Sequence, residues 1–381
     1  MNSEESTMLN MSSLFTFYCG GQGISHIFLS LCREGDSPDF KTRMVVPNCA
    51  QSYRGYNIVE TVPRYLKWLY YKVGDAAQSS AEKRFMRDLH DFDAVYLWPR
   101  TSIETVRKVK QEGQTLFFER INCSTKKAKY ILDDAYGRLG IAPQHGITDA
   151  MIQQEDEEMR LADFIFSPSP EVKKSFLEIG VPEYKLLSSS YGWCPKRFPN
   201  ISPKKQPSDT LTVLFMGTIC VRKGAHLLLQ AWEKAGIKGR LVLCGSMEPA
   251  IAESCSDILR RSDVIHIDYT LNVDEVYGEA DIFAFPSLEE GGPMVTYEAM
   301  AHGLPVLTSP MGAGAIARDG KDGLVVDPYD SEALVEGLRK LALSPEMRAE
   351  MGYNARQQAE EFTWEKVARR RKDLMQEKLK A

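Results

Sequence analysis

The sequence predicts an α/β protein built as two domains, each a parallel sheet wrapped by helices. Three observations carry that expectation. Short apolar runs alternate with stretches of helical apolar spacing in both halves of the chain, the pattern a parallel sheet produces because every crossover needs a helix. Glycine turns follow several of the runs, most plainly Gly20-Gly21-Gln22-Gly23. Between the halves, Pro195, Pro199, Pro203 and Pro207 recur among Lys and Ser, which is linker composition. The expected organisation is residues 1–192 as a first domain, 193–209 as linker and 210–362 as a second domain.

Composition narrows the function classes. A chain of 381 residues with 43% hydrophobic and 26% charged residues is globular and long enough for two cores. A formal net charge of −5, with no recognisable reading module, argues against nucleic acid as a partner. Eight cysteines without a C-x-x-C pair read as reduced thiols, neither a disulfide frame nor a zinc site. No basic leader and no apolar run of about 18 residues is present, so the expectation is a cytoplasmic protein without a membrane span.

In the first half, after a polar leader, residues 14–19 read as a buried strand entering Gly20–Gly23, and 24–32 as a helix on which His26 occupies the first turn. Glycines at such a turn let backbone approach a phosphate, and a plain tight turn explains them equally well. Strands follow at 42–46, Ala94–Leu97 and 115–118, with helices at Ile103–Gln111 and 128–138. Asp91-Phe92-Asp93 has the spacing of a metal-holding D-x-D triplet, but it leads directly into a strand and reads as a turn. Between residues 61 and 130, 14 Lys plus Arg stand against 8 Asp plus Glu. Within that span, residues 61–72 interleave aromatics with cations, which suits either peripheral contact with the inner face of a membrane or an amphipathic helix with a solvated basic face. Glu119, Arg120 and Asn122 follow a strand and should emerge at the carboxyl edge of the sheet, where open α/β sheets bind ligands. Glu119 is expected there either to position or deprotonate an acceptor hydroxyl or to cap a helix, and His145 is a further loop candidate. Helix Asp149–Leu161, strand Phe164–Ser167, helix 169–179 and strand Leu186–Ser188 complete this half.

The second half opens with strand Leu211–Met216, Gly217, and then Arg222-Lys223-Gly224 at the start of a helix. Two cations at a helix N-terminus oppose the dipole unless an anion such as pyrophosphate neutralises them. Strands at 241–244, Val264–Ile267 and 281–285 continue the alternation, with Gly245 at a strand end and a loop at 266–271. The segment 285–308 then joins two strand-like runs through Glu290, Gly291, Gly292, Pro293 and a short helix carrying Met294, Val295 and Glu298. Bare glycine backbone and a helix N-terminus between two carboxylates suit a ligand with both phosphate and hydroxyls. Helices at Ser331–Leu343, Pro345–Glu360 and 363–380 form the tail.

Glu290, Gly291, Glu298, Ala299, Met300, Ala301, Gly303, Pro305 and Val306 together resemble the signature of the retaining glycosyltransferases of family 4. The resemblance covers nearly all of 211–380 and the first half more loosely. It implies the GT-B fold: two facing Rossmann-like domains with a deep cleft, and a closing helix, begun here by Phe362-Thr363-Trp364, that crosses back to the first domain. It also implies a UDP- or GDP-sugar donor, no required metal and no cofactor, and a glycan, lipid-linked or small-molecule acceptor, commonly in surface polysaccharide or glycolipid synthesis. On that reading Lys223 and Arg222 face the diphosphate with Gly217 and the backbone of Gly292, Met294 and Val295. Glu298 holds ribose hydroxyls, Glu290 holds the donor sugar, and Gly21 and Gly23 lie across the cleft from the diphosphate. The sequence departs from the family at Thr218, where an Arg is usual, at Glu119-Arg120, where a histidine often stands, and at Ala315, where a Glu is frequent. Front-face transfer and double displacement are both compatible with these residues. The other readings are a nucleotide-sugar epimerase or sugar phosphorylase of the same fold, and a non-catalytic nucleotide-sugar-binding subunit.

Overall fold

A computed structural model describes residues 8–50, 52, 56–63, 65, 74–199, 201 and 210–380. Of the aromatic and basic segment 61–72, all but 61–63 and 65 lies outside the described residues, as does most of the proline-marked linker.

The first domain runs β1 (Leu9–Leu14), α1 (Ile24–Glu34), β2 (Phe40–Val46), β3 (Ile58–Glu60), α2 (Gly74–Arg87), β4 (Ala94–Leu97), α3 (Ile103–Gln111), β5 (Thr115–Glu119), α4 (Thr125–Arg138), α5 (Asp149–Leu161), β6 (Phe164–Ser167), α6 (Pro170–Glu178) and β7 (Leu186–Ser188). Its strands form one parallel sheet in the order β3-β2-β1-β4-β5-β6-β7. Successive side chains go to opposite faces: Tyr96, Phe117 and Phe166 pack on one side, Leu97, Phe118 and Ile165 on the other. Burial on both faces is why these strands read as continuous apolar runs.

One strand begins earlier than its hydropathy indicates. β1 is Leu9–Leu14, not 14–19, because Ser12 and Ser13 occupy strand positions while fully buried. Ser13 Oγ donates to Tyr96 O at 3.0 Å, which satisfies a hydroxyl that looks polar in sequence. The apolar run after Leu14 is a buried loop, with Phe15 stacked on Phe28 at 4.7 Å and edge-on to Trp98.

The second domain runs β8 (Leu211–Met216), α7 (Ala225–Ala235), β9 (Gly239–Cys244), α8 (Pro249–Ser254), α9 (Ser256–Leu259), β10 (Val264–Ile267), α10 (Val273–Glu279), β11 (Ile282–Phe285), α11 (Met294–Ala301), β12 (Val306–Thr308), α12 (Pro310–Ala313), β13 (Gly323–Val325), α13 (Ser331–Leu343) and α14 (Pro345–Glu360). Its parallel sheet has the order β10-β9-β8-β11-β12-β13. The last helix, α15 (Trp364–Lys380), packs against α1 of the first domain. The chain crosses between domains twice at one place: Trp193 N–H donates to Phe362 O, Trp364 N–H donates to Trp193 O, and Trp193 Nε1 donates to Ala359 O at 2.7 Å. No helix among the described residues is long and apolar enough to cross a membrane.

Candidate active site

The order of the second sheet places the site. From β8 the chain winds outward through β9 to β10, then returns to the other side of β8 as β11. The loops leaving neighbouring β8 and β11 therefore part at their carboxyl ends, the crevice where open α/β sheets take ligands. The loop after β8 carries Arg222 and Lys223, and the loop after β11 carries Glu289 and Glu290.

Glycines allow these loops to meet. Gly224 has φ 67°, and a Cβ there would lie 2.0 Å from Pro286 O, so only glycine brings the start of α7 against the β11 loop. A Cβ on Gly245 would meet Gly217 O at 2.2 Å, so the ends of β8 and β9 also touch, with Gly217 beside the Lys223 side chain.

The cations and carboxylates pair across this junction. Lys223 Nζ lies 2.6 Å from Glu290 Oε1 and 5.0 Å above the Phe285 ring. Arg222 Nη1 donates to Glu289 Oε2 at 3.2 Å and to Glu289 O at 3.0 Å, and lies 3.4 Å from Glu290 Oε1. Burial favours the neutral form of Glu290, but Lys223 and Arg222 together outweigh it and hold the carboxyl below its ordinary range. For Glu289 burial wins and the pKa is raised, with Arg222 opposing and Glu290 adding to the rise.

Glu298, on α11, is held apart from this cluster. Its Oε1 accepts from Arg197 at 2.9 Å and its Oε2 from Tyr277 at 3.1 Å. Burial pushes its pKa up against the pull of Arg197. Pro293 caps α11, leaving Met294 and Val295 in the first turn, half-buried.

Gly291 and Gly292 have a different setting from the open anion cradle that the sequence suggests. A Cβ on Gly291 would lie 1.7 Å from Ile121 O, and one on Gly292 2.7 Å from the Tyr191 ring. Both glycines mark where the second domain touches the first. Beside them Asn122 Nδ2 donates to both oxygens of Glu289 at 2.8 Å, and Tyr136 OH donates to Glu248, which also accepts from Val221 N.

Glu119 is not on the acceptor side of the cleft. Its carboxylate is fully buried and accepts from Arg371 of α15 at 2.5 and 3.2 Å, from Tyr191 OH at 3.0 Å and from Tyr96 OH. The edge placement read from sequence is right, but Asn122, three residues on, is the side chain that reaches the second domain. Arg120 is likewise buried, between Glu155 and Glu158.

In the Gly20–Gly23 turn, Gly21 has φ 75° and Gly23 φ 52°, and the N–H groups of Gly21 and Gln22 donate to Ser25 Oγ. His26 sits edge-on to Trp364, and burial with Arg197 and Arg33 lowers its pKa to about 4, so it is neutral at pH 7. His145 accepts from Ile147 N and pairs with Asp133, stapling its own loop. Asp93 accepts from Asn10 N, consistent with a strand-leading turn. A cavity of about 710 Å³ between α6, the end of β7 and α15 is lined by none of the expected site residues.

Sequence reasoning missed Glu289, Arg197 and Tyr191, and placed Asn122 at the sheet edge without giving it a role. Glu289 was visible as the neighbour of Glu290, but the spacing to Glu298 singles out only the second of the pair.

Two parallel-sheet domains that meet carboxyl edge to carboxyl edge, with paired cations and carboxylates at the switch point of the second, define a GT-B architecture. Residues 197–358 match the model of the family described as Glycosyl transferases group 1. The chain is 29% identical over 196 residues to a D-inositol 3-phosphate glycosyltransferase of Saccharomonospora viridis, covering 46% of this chain and 44% of that one. It is 28% identical over 172 residues to the capsular polysaccharide biosynthesis glycosyltransferase CapM of Staphylococcus aureus, covering 42% and 45%. The matches thus span less than half the length of these relatives. Over nearly the whole chain the fold is similar to sucrose-phosphate synthase from Thermosynechococcus elongatus, with TM-score 0.73, 18% identity and coverage of 97% and 98%. It is also similar to Anabaena HepE solved in complex with UDP and glucose, with TM-score 0.66, 13% identity and coverage of 97% and 100%.

Proposed function

We propose that this protein is a retaining glycosyltransferase of the family 4 type that moves a sugar from a nucleoside diphosphate sugar to an acceptor hydroxyl. The observation that carries the reading is the junction of Arg222 and Lys223 with Glu290 at the switch point of the second sheet. Departure of a nucleoside diphosphate concentrates negative charge on its phosphates, and prearranged cations in a sheltered site lower that barrier. Arg222 and Lys223 supply this charge from side chains, so the reading calls on no metal. The first-turn N–H groups of Met294 and Val295, free of intrahelical partners in any α-helix, add dipole stabilisation. Glu290, kept ionised by the two cations, accepts from donor-sugar hydroxyls, and Glu298 accepts from ribose hydroxyls once Arg197 yields its place.

The acceptor approaches from the first domain, and the relatives' printed names favour a polyol phosphate or a growing surface polysaccharide as its class. Incubation with a panel of UDP- and GDP-sugars, with inositol phosphate, polysaccharide and lipid-linked acceptors, is expected to release nucleoside diphosphate and yield a product of retained anomeric configuration by NMR. No release with any pair would overturn the proposal, and an inverted product would overturn the mechanism.

A further inference from the structure

The two carboxylates facing Arg222 and Lys223 are not equivalent. Glu290 is paired within the second domain, to Lys223 at 2.6 Å with Arg222 at 3.4 Å. Glu289 spans the domains. Its side chain is 2% exposed, both oxygens accept from Asn122 Nδ2 at 2.8 Å, and Oε1 lies 3.5 Å from Cys123 Sγ. The charged groups facing it are Arg222, at 3.2 Å, and Glu290, so Arg222 is the cation in contact with it.

A diphosphate bound by Arg222 competes for that contact. It draws the guanidinium away from Glu289 and sets further negative charge beside it. A carboxylate so deeply buried does not stay ionised without its cation, because desolvation costs more than the Asn122 amide returns. A proton from solvent on Glu289 resolves the conflict. The protonated acid still accepts from Asn122, so the domain contact survives, while Arg222 turns to the ligand. The loop itself stays in place, since Glu248 holds Val221 N at 2.8 Å and also accepts from Tyr136 of the first domain.

We propose that Glu289 is a positioning residue that exchanges Arg222 for a proton when a nucleoside diphosphate binds, releasing the cation to the ligand without opening the Asn122 contact between the domains. The proposal rests on the donor-site reading given above.

Calorimetric titration with UDP and GDP, wild type against Glu289→Gln, from pH 5.5 to 8.5, tests it. At pH 8 the variant is expected to bind about tenfold tighter, the equivalent of one pKa unit of charge competition removed. That advantage shrinks towards none as the pH falls and the wild type supplies the proton itself. Titration of the ligand's own phosphate is common to both proteins and cancels in the ratio. In an Arg222→Gln background, Glu289→Gln is expected to confer no advantage. Equal or weaker binding by Glu289→Gln at pH 8, or a ratio flat with pH, would overturn the exchange, as a merely structural contact predicts. Wild type that binds neither nucleotide overturns the donor-site reading as well, whereas wild-type binding with a flat ratio overturns the exchange alone. If Glu289→Gln does not fold, wild type titrated with UDP at pH 8, where the ligand's terminal phosphate is already ionised, in buffers of different ionisation enthalpy reads the same event. Net proton uptake is expected, and no uptake or net release would overturn it.

Discussion

Replacing Glu119 with Ala is expected to unfold the first domain more readily, with no acceptor chemistry lost. The substitution removes a carboxylate at 0% exposure that takes two hydrogen bonds from Arg371, at 2.5 and 3.2 Å, and one from Tyr191 at 3.0 Å. Arg371, 3% exposed, is then left with Tyr96 OH at 3.0 Å and Ser190 O at 3.2 Å, and no counter-charge. Breaking one side of a buried ion pair costs about 3–5 kcal/mol. At about 2–4 °C per kcal/mol for a domain of this size, the thermal midpoint should fall by about 6–20 °C. Tryptophan fluorescence is a suitable probe, since Trp364 sits at the start of α15. The paired replacement Glu119→Leu with Arg371→Met is expected to recover part of the loss, because it removes the unpaired buried charge but leaves Tyr96 OH and Tyr191 OH without their shared acceptor. A Glu119→Ala protein with an unchanged midpoint but abolished transfer would refute this and return Glu119 to the acceptor.

Gly291→Ala puts a carbon 1.7 Å from Ile121 O, half the ordinary contact of 3.4 Å, so the domains cannot close to this geometry. Transfer should fall by about 100-fold, as a misplacement of about 1 Å can cause, with little change in unfolding midpoint; a wild-type rate would contradict the close approach. Glu298→Gln is expected to weaken donor binding at least about tenfold while changing stability by about 1 kcal/mol or less, since Arg197 is half-exposed. Unchanged donor affinity by calorimetry would remove Glu298 from the ribose. Glu290 is held below its ordinary value of 4.5, so its ionised form favours the fold. The stability difference between wild type and Glu290→Gln should be full above pH 4.5 and shrink as the pH falls through the folded value. A difference that widens on acidification would contradict the pairing with Lys223.

Much of the fold was legible because buried parallel strands and amphipathic helices write their periods into the chain. Strands β4, β6, β7, β8 and β10 and helices α3, α5, α13 and α14 lie where the apolar spacing puts them. β1 was misplaced because Ser12 and Ser13 are polar in isolation, and only the fold buries both and gives the Ser13 hydroxyl its acceptor, Tyr96 O on a neighbouring strand. In the site, short-range features, a glycine turn and a helix start, mark Arg222, Lys223 and Glu290 one by one, but their pairing, Lys223 with Glu290 across 67 positions, is visible only in the structure. Glu119 and Asn122 were beyond the reach of such features. Both leave the same strand end, and which one points into the cleft depends on α15, more than 240 positions further along, supplying Arg371 as a counter-charge.

Residue order thus specified the two sheets, the glycine turns and the charge types at the switch point, all of which follow from local periodicity and backbone freedom. Tertiary contact alone assigned the partners. A buried carboxylate takes its role from whichever cation or amide packing brings within about 3 Å, as hydrogen bonding requires. On that ground Glu119 secures the returning helix, Gly291 and Gly292 let the domains touch, and Glu289 joins Arg222 to the first domain.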